Sequence, residues 1–361
     1  MGDEKVKILV LPGDGIGPEI TDATCRALEA LDARYGLGFD MVQRDIGLKA
    51  HYEIGSTMSD EIMAEIAETE ATILGPTDTY SYPDEAKGGR RPSKAVRTTF
   101  DLYANVRPSR NRPGVPAMAE NMDLVVVREN TEGFYADRNM FMGGGEFMPT
   151  PDVALSVRKI TAEGSRRIAK VAFDLARQRR KKVTVVHKAN VLQMTDGLFL
   201  REVRAVGEGY PEVEVEELII DAMTAHLIRR PADFDVILTT NMYGDILSDQ
   251  CAEMSGGLGF GPSVNAGDEH AVAQAAHGSA PDIAGQDLAN PTALMLSASM
   301  LLNWIAGRHG NNQLAAAAAH MEKAVDHALG QPATQTKDVG GPLGTKAFGE
   351  AVAKAIETLP E

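Results

Sequence analysis

The strongest constraint on the fold is an alternation. Short apolar runs recur along the chain, each followed by a stretch with helical spacing. Val6-Lys7-Ile8-Leu9-Val10-Leu11 reads as a buried strand, and Ile20, Ala23, Ala27, Leu28 and Leu31 then line one side of a helix. Further apolar runs lie at 72–74, 124–127, 183–186, 217–220 and 235–238, with helix-like segments between them. Parallel strands need such crossovers, so the pattern predicts an α/β protein with substantial parallel sheet. The chain has 361 residues. Single cores stop growing near ~250–300 residues, so two domains are expected.

Charge and apolar pattern exclude several classes. A net charge of −15 argues against nucleic acid or an anionic membrane as the main partner, so an anionic ligand must meet a local basic cluster. The longest apolar tract, 293–306, is interrupted by Ser297, Ser299 and Asn303 and is too short to span a bilayer. Met1-Gly2-Asp3-Glu4-Lys5 has no apolar signal region, and Val6 in the sixth position speaks against myristoylation of Gly2. Cys25 and Cys251 form neither a disulfide framework nor a CxxC pair. A soluble, cytoplasmic chain with reduced thiols is expected. The segment 138–152 breaks the alternation with Gly143-Gly144-Gly145, Pro149 and Pro151 around Phe147-Met148, and reads as an arm suited to a subunit contact. The basic run 177–182 reads as a helix C-terminus that favours cations.

Glycine is abundant, with 35 residues. In Gly13-Asp14-Gly15-Ile16-Gly17-Pro18 the spacing is GxGxG and the sixth position is proline, so the Rossmann GxGxxG is not met. The cluster Ser255-Gly256-Gly257-Leu258-Gly259-Phe260-Gly261-Pro262 lacks the Lys-Ser/Thr of a nucleotide phosphate loop and reads as a flexible crossing between domains.

Asp245 and Asp249 carry more information. On a helix they share a face, where two like charges repel unless a cation lies between them, and oxygen ligands suit Mg²⁺ or Mn²⁺. Spacing alone leaves open a capping Asp245 with a solvated Asp249. Upstream lie Arg90, Arg91, Lys94, Arg97, Arg107, Arg110, Arg112 and Arg128, a density fitted to a small polyanion or to a solvated loop. Arg128 follows an apolar strand, and strand ends in α/β folds face ligand crevices. Tyr135 adds a phenol nearby. Lys188 ends another strand, and a lysine desolvated beside a metal can act as a general base.

Together these pieces resemble the β-decarboxylating hydroxyacid dehydrogenases, the family of isocitrate, homoisocitrate, 3-isopropylmalate and tartrate/D-malate dehydrogenases. The resemblance runs nearly end to end. It rests on Gly13-Asp14-Gly15-Ile16-Gly17-Pro18-Glu19, the run from Asp101 to Pro108, Arg128-Glu129-Asn130-Thr131-Glu132-Gly133-Phe134-Tyr135, and Lys188-Ala189-Asn190-Val191. Asp221-Ala222-Met223, the run from Asn241 to Asp249 and the run from His277 to Gly285 complete it. It implies an isopropylmalate-dehydrogenase-like two-domain fold with a mixed sheet, distinct from the Rossmann fold. A large domain of residues 1–102 and 257–361 would flank a small domain of 103–256 bearing the arm. It also implies a homodimer sharing its active sites, with pairing into tetramers left open.

By resemblance, Arg97, Arg107 and Arg128 bind the malate carboxylates. Asp245, Asp249 and Asp221 of the partner subunit hold Mg²⁺ or Mn²⁺. Lys188, also from the partner subunit, assists removal of the hydroxyl proton, and Tyr135 donates the final proton. Ile16, Asn190, His277, Gly278, Ser279, Ala280, Asp282, Ile283 and Asn290 would contact the cofactor. Asp282 falls where NADP-specific members place a basic residue, so NAD is the expected cofactor. Lys94, three positions before Arg97, replaces an arginine characteristic of homoisocitrate enzymes, with Ser93 beside it. Leucines of an isopropylmalate pocket are absent, and Arg91 stands where isocitrate enzymes have serine. The stretch implies a polar or anionic C3 substituent, with tartrate, D-malate or isopropylmalate as alternatives. Tyr135, Lys188 and the aspartates are all present, which argues against a non-catalytic, metabolite-binding homologue.

Overall fold

The structure, a computed structural model, describes residues 6–135 and 140–360. Residues 1–5, on which the signal-peptide reading rests, and Arg138 and Asn139 at the start of the expected arm lie outside them. The strands are β1 (Val6–Leu11), β2 (Phe39–Gln43), β3 (Ala71–Leu74), β4 (Ala104–Arg110), β5 (Asp123–Glu129), β6 (Glu146–Thr150), β7 (Val153–Ser156), β8 (Lys182–His187), β9 (Glu214–Ile219), β10 (Val236–Thr239), β11 (Val264–Ala266) and β12 (Ala271–Ala273). The helices are α1 (Gly17–Tyr35), α2 (Gly47–Ile54), α3 (Asp60–Ala67), α4 (Pro92–Thr99), α5 (Ala162–Arg177), α6 (Thr195–Gly207), α7 (Ile220–Arg229), α8 (Asn241–Ser255), α9 (Thr292–His309), α10 (Asn312–Leu329) and α11 (Thr345–Thr358).

Ten strands form one mixed sheet, ordered β2-β1-β3-β12-β11-β4-β5-β10-β8-β9. Its two wings are parallel, as the alternation predicts. The centre is not: β11 runs antiparallel to both β12 and β4, and β4 antiparallel to β5. Periodicity could not reveal this centre, because β11 and β12 are three-residue strands and β4 is interleaved with Asn105, Arg107 and Ser109. Those polar residues are buried in a joint. Asn105 Nδ2 donates to Ser263 Oγ at 2.8 Å and Asn265 Oδ1 at 3.0 Å, while Asn130 Nδ2 reaches Asn265 Oδ1 at 3.1 Å.

The fold is two-domain α/β, with apolar cores on both faces of each wing. One core unites α1, α9, α10 and α11, with the α2 and α3 side opposite. The other wing packs α5 and α6 on one face and α7 and α8 on the other. Helix α9 is buried on almost every side, which accounts for its apolar tract without a membrane. Among the described residues no helix is long and apolar enough to cross a bilayer.

Local outcomes refine the expectations. The strand expected at 217–220 spans Glu214–Ile219, and Ile220 already begins α7. The glycine crossing at 255–262 opens on a tight turn: Gly256 and Gly257 hold φ of 147° and 115°, and Gly257 N–H donates to Ala252 O at 2.9 Å. The basic run ends α5, as expected, and locks it to the sheet, with Arg179 Nε on Asp235 Oδ1 at 2.8 Å. The described arm is a β6–β7 hairpin whose strand residues are all exposed, and it extends to Ser156.

Candidate active site

Strand register brings the arginines to one place. Arg107 on β4 and Arg128 on β5 are both buried, and Arg128 stands opposite Asn105 and Thr239. Helix α8 starts just beyond β10 and lies against β4 and β5. Gly244 makes that approach possible, because a Cβ there would lie 2.6 Å from Arg128 Cβ and Cγ. Arg128 consequently runs along α8, donating to Asn241 Oδ1 from Nε at 3.0 Å and Nη2 at 2.6 Å, and pairing with Asp245 through Nη1. Arg107 Nη1 donates to Ser248 Oγ at 2.8 Å and lies 3.4 Å from Asp245 Oδ1.

The electrostatics follow from this packing. Burial opposes ionisation of Asp245, but Arg128, Arg107 and Arg97 prevail, and its carboxyl titrates below the ordinary value. Burial holds Asp249 above it, opposed by Arg107 and reinforced by Asp245. Arg107 itself is pushed down to about 10 by burial and by its neighbour Arg128. Two carboxylates one helical turn apart thus face a buried cationic wall, an arrangement that can take dianionic ligands and a hard cation together. Tyr135 hydroxyl donates to Asp245 Oδ2 at 3.3 Å.

Arg97 on α4 joins from the other wing, donating to Gln274 Oε1 at 3.4 Å, while Gln274 Nε2 donates to Ser93 Oγ at 2.8 Å. Gln274 and Asn241 were missed in the sequence, since an amide has no spacing signature. The upstream basic set divides. Arg110 and Arg112 pair with Glu322 and Asp326 of α10, with Arg112 Nη1 2.6 Å from Asp326, so they are structural and not part of an anion site. Arg90 pairs with Asp60 at 2.8 Å, and Lys94 lines a cavity of about 350 Å³ with Arg90, Arg91, Asp60 and Glu85.

Lys188 and Asp221 form a second cluster. Their side chains pair directly, which holds Asp221 below the usual carboxylate range. No hydrogen bond or ion pair joins this cluster to Asp245 or Asp249 among the described residues. Nor is any group of three or more His, Cys, Asp or Glu residues placed to hold a metal within the described residues of one chain.

The 277–285 loop packs on the first glycine turn. Ile16 N–H donates to Ser279 O at 2.8 Å, and a Cβ on Gly15 would fall 1.9 Å from that oxygen. Ala280 takes a φ of 38°. His277 Nδ1 bonds Gly278 O at 3.0 Å, leaving Nε2 buried without a partner. Asp282 is exposed, Gly278 is exposed and Ile283 is half-buried. Asn290 bonds Asp338 at 2.9 Å. Asn190 stands exposed two residues after Lys188, and among the described residues no hydrogen bond joins it to this loop. Asp14 anchors the neighbouring loops, accepting from Leu48 N–H at 2.7 Å and Tyr82 hydroxyl at 2.5 Å, which gives Tyr82 a structural role.

Residues 7–352 match the isocitrate/isopropylmalate dehydrogenase family. The chain belongs to that family. It is 41% identical over 354 residues to the isocitrate/homoisocitrate dehydrogenase of Thermus thermophilus, covering 98% of this chain and 99% of that protein. With the 3-isopropylmalate dehydrogenase of Methanothermobacter thermautotrophicus the identity is 38% over 355 residues, with 98% and 99% covered. A crystal structure of isocitrate dehydrogenase from Methylococcus capsulatus superposes with a TM-score of 0.86 at 37% identity, covering 98% and 99%. Membership in this isocitrate/isopropylmalate dehydrogenase family makes the chain an oxidoreductase, a decarboxylating dehydrogenase of hydroxy acids.

Proposed function

We propose that the chain oxidatively decarboxylates a (2R)-3-substituted malate with NAD⁺ and Mg²⁺ or Mn²⁺, the C3 substituent being polar or anionic as in isocitrate and homoisocitrate. The observation that carries this reading is the meeting of Arg107, Arg128, Asp245, Asp249 and Tyr135 on one wall, with Arg97 acting on it from α4. Arg97, Arg107 and Arg128 hold the two malate carboxylates. The hard oxygen donors Asp245 and Asp249 fit a divalent cation, and Asp221 of the partner subunit completes the set. Such a cation, when bound, acts as a Lewis acid on the C2 oxygen. Lys188 of the partner subunit assists removal of the hydroxyl proton. Tyr135 delivers a proton to C3 after CO₂ leaves.

The 277–285 loop and Ile16 hold the cofactor. An unpartnered His277 Nε2 supports ligand binding there, and exposed Asp282 favours ribose hydroxyls over a 2′-phosphate. NAD⁺ supplies the hydride acceptor. The separation of the Lys188–Asp221 pair from Asp245 and Asp249 supports a homodimer with shared sites. The exposed hairpin, with Phe147, Met148, Val153 and Leu155, supports the arm exchange. The four apolar cores support the division into 1–102 with 257–361 and 103–256. Lys94 and Arg91, beside Ser93, support the polar substituent.

The deciding experiment offers isocitrate, homoisocitrate, isopropylmalate, D-malate and tartrate with NAD⁺ or NADP⁺ and Mn²⁺, following reduced cofactor. Turnover of a tricarboxylic acid with NAD⁺, abolished by EDTA, is expected. Preference for isopropylmalate or tartrate would overturn the substrate, and silence across the panel would overturn the activity.

A further inference from the structure

We propose that Arg158 and Asp196 form a positioning strut that holds the Lys188 turn and the start of α8 in one fixed arrangement. The inference rests on the reading of Lys188 as a working residue, and extends it to two residues that no motif singled out.

Asp196 is fully buried at the start of α6. Its Oδ2 accepts the backbone N–H of Lys188 at 2.5 Å, and its Oδ1 accepts from Arg158 Nη1. Arg158 reaches further. Nη1 also donates to Thr195 Oγ1 at 2.9 Å and Nη2 to Thr240 Oγ1 at 3.0 Å, while the guanidinium lies 5.7 Å from the Phe134 ring and 5.3 Å from that of Tyr243. Thr240 is the N-cap residue of α8, the helix of Asp245 and Asp249. Phe134 directly precedes Tyr135. Arg158 therefore bonds the N-cap of the aspartate helix directly, lies beside the ring that precedes Tyr135, and reaches the Lys188 turn through Asp196.

A buried ion pair is weak as a stabiliser, since apolar residues of similar volume often serve as well or better. Its advantage is direction. The guanidinium is a rigid planar fork, able to fix acceptors on two sides while stacking on rings, which the point charge of lysine cannot do. The strut also lies at the foot of the hairpin. Arg158 follows β7, and its neighbour Lys159 exchanges backbone hydrogen bonds with Gly133 at 2.8 and 3.0 Å.

The test uses the full-length protein with NAD⁺, Mn²⁺ and the acid that the substrate panel selects. Arg158→Lys and Asp196→Asn should each lower kcat by about tenfold or more while KM for NAD⁺ stays within about threefold, because positioning acts on the reacting geometry. The double variant should lose no more than the worse single one, as for groups acting as a unit. Should either variant fail to fold, Thr240→Val decides, with an expected loss of about three- to tenfold in kcat. Unchanged kcat, a loss confined to KM, or additive losses in the double variant would overturn the strut. Lys188→Met is the control. If it retains turnover, the reading of Lys188 falls and the strut with it; if it is inactive while the strut variants are normal, the strut alone is wrong.

Discussion

Arg107 Nη1 stands 3.3 Å from Asp249 Oδ1, so a fixed guanidinium and any divalent cation draw on the same carboxylate. Arg107→Met should therefore move two affinities in opposite directions. KM for the acid should rise about 100-fold with loss of a bidentate carboxylate partner, while Mn²⁺ should bind the substrate-free protein more tightly. Mn²⁺ titration by electron paramagnetic resonance reads the second effect; weaker binding would show that Arg107 orders the carboxylates more than it competes for them.

Gly244→Ala places a methyl group against Arg128, 2.6 Å from its Cβ. Overpacking of this kind costs about 1–3 kcal/mol, so the thermal midpoint should drop by several degrees. Because the displaced side chain is Arg128, KM for the acid should rise as well. A stable variant with unaltered KM would mean that α8 and β5 can separate freely.

Glu129 is buried, and burial together with Glu132 pushes its carboxyl up to about 7 from the ordinary 4.5, against hydrogen bonds from Thr131 and Glu132. The fold prefers the protonated form. Its stabilisation is full below the ordinary value and is lost as pH rises through about 7. Glu129→Gln stays neutral throughout, so its urea midpoint should gain on that of the parent between about pH 5 and pH 8. A difference independent of pH would assign the titration elsewhere.

Shared sites predict complementation. Lys188→Met and Asp245→Asn should each be inactive alone. Unfolded together and refolded, half the dimers are mixed, and each mixed dimer keeps one intact site of two. About a quarter of the parental activity should return. No recovery would place Lys188 and Asp245 in the same site within one chain.

Much of this was legible beforehand. The parallel wings announce themselves as apolar runs with helical intervals, and the motif order from Gly13 to Gly285 points to the family. The central strands stayed hidden because their buried side chains are polar: Asn105 and Arg107 look like loop residues until Asn265 and Ser248 are placed beside them. The basic set was legible only as a set. Separating Arg107 and Arg128 from Arg110 and Arg112 depends on which helix each one meets, α8 or α10, and neither partner is local in sequence. Arg158 and Asp196 had no local signature at all.

The joint formed by Asn105, Asn130, Ser263 and Asn265 has a thermodynamic consequence. Asn105 Oδ1 and Asn130 Oδ1 are buried with no donor among the described residues, so the joint holds acceptor capacity beyond the bonds it makes. A hinge of amides trades hydrogen bonds as it moves and uncovers little hydrocarbon. Any rocking of one wing against the other about this line would expose little apolar surface, so its heat-capacity change would be small and its enthalpy nearly constant with temperature, unlike that of a hinge that peels apart apolar faces.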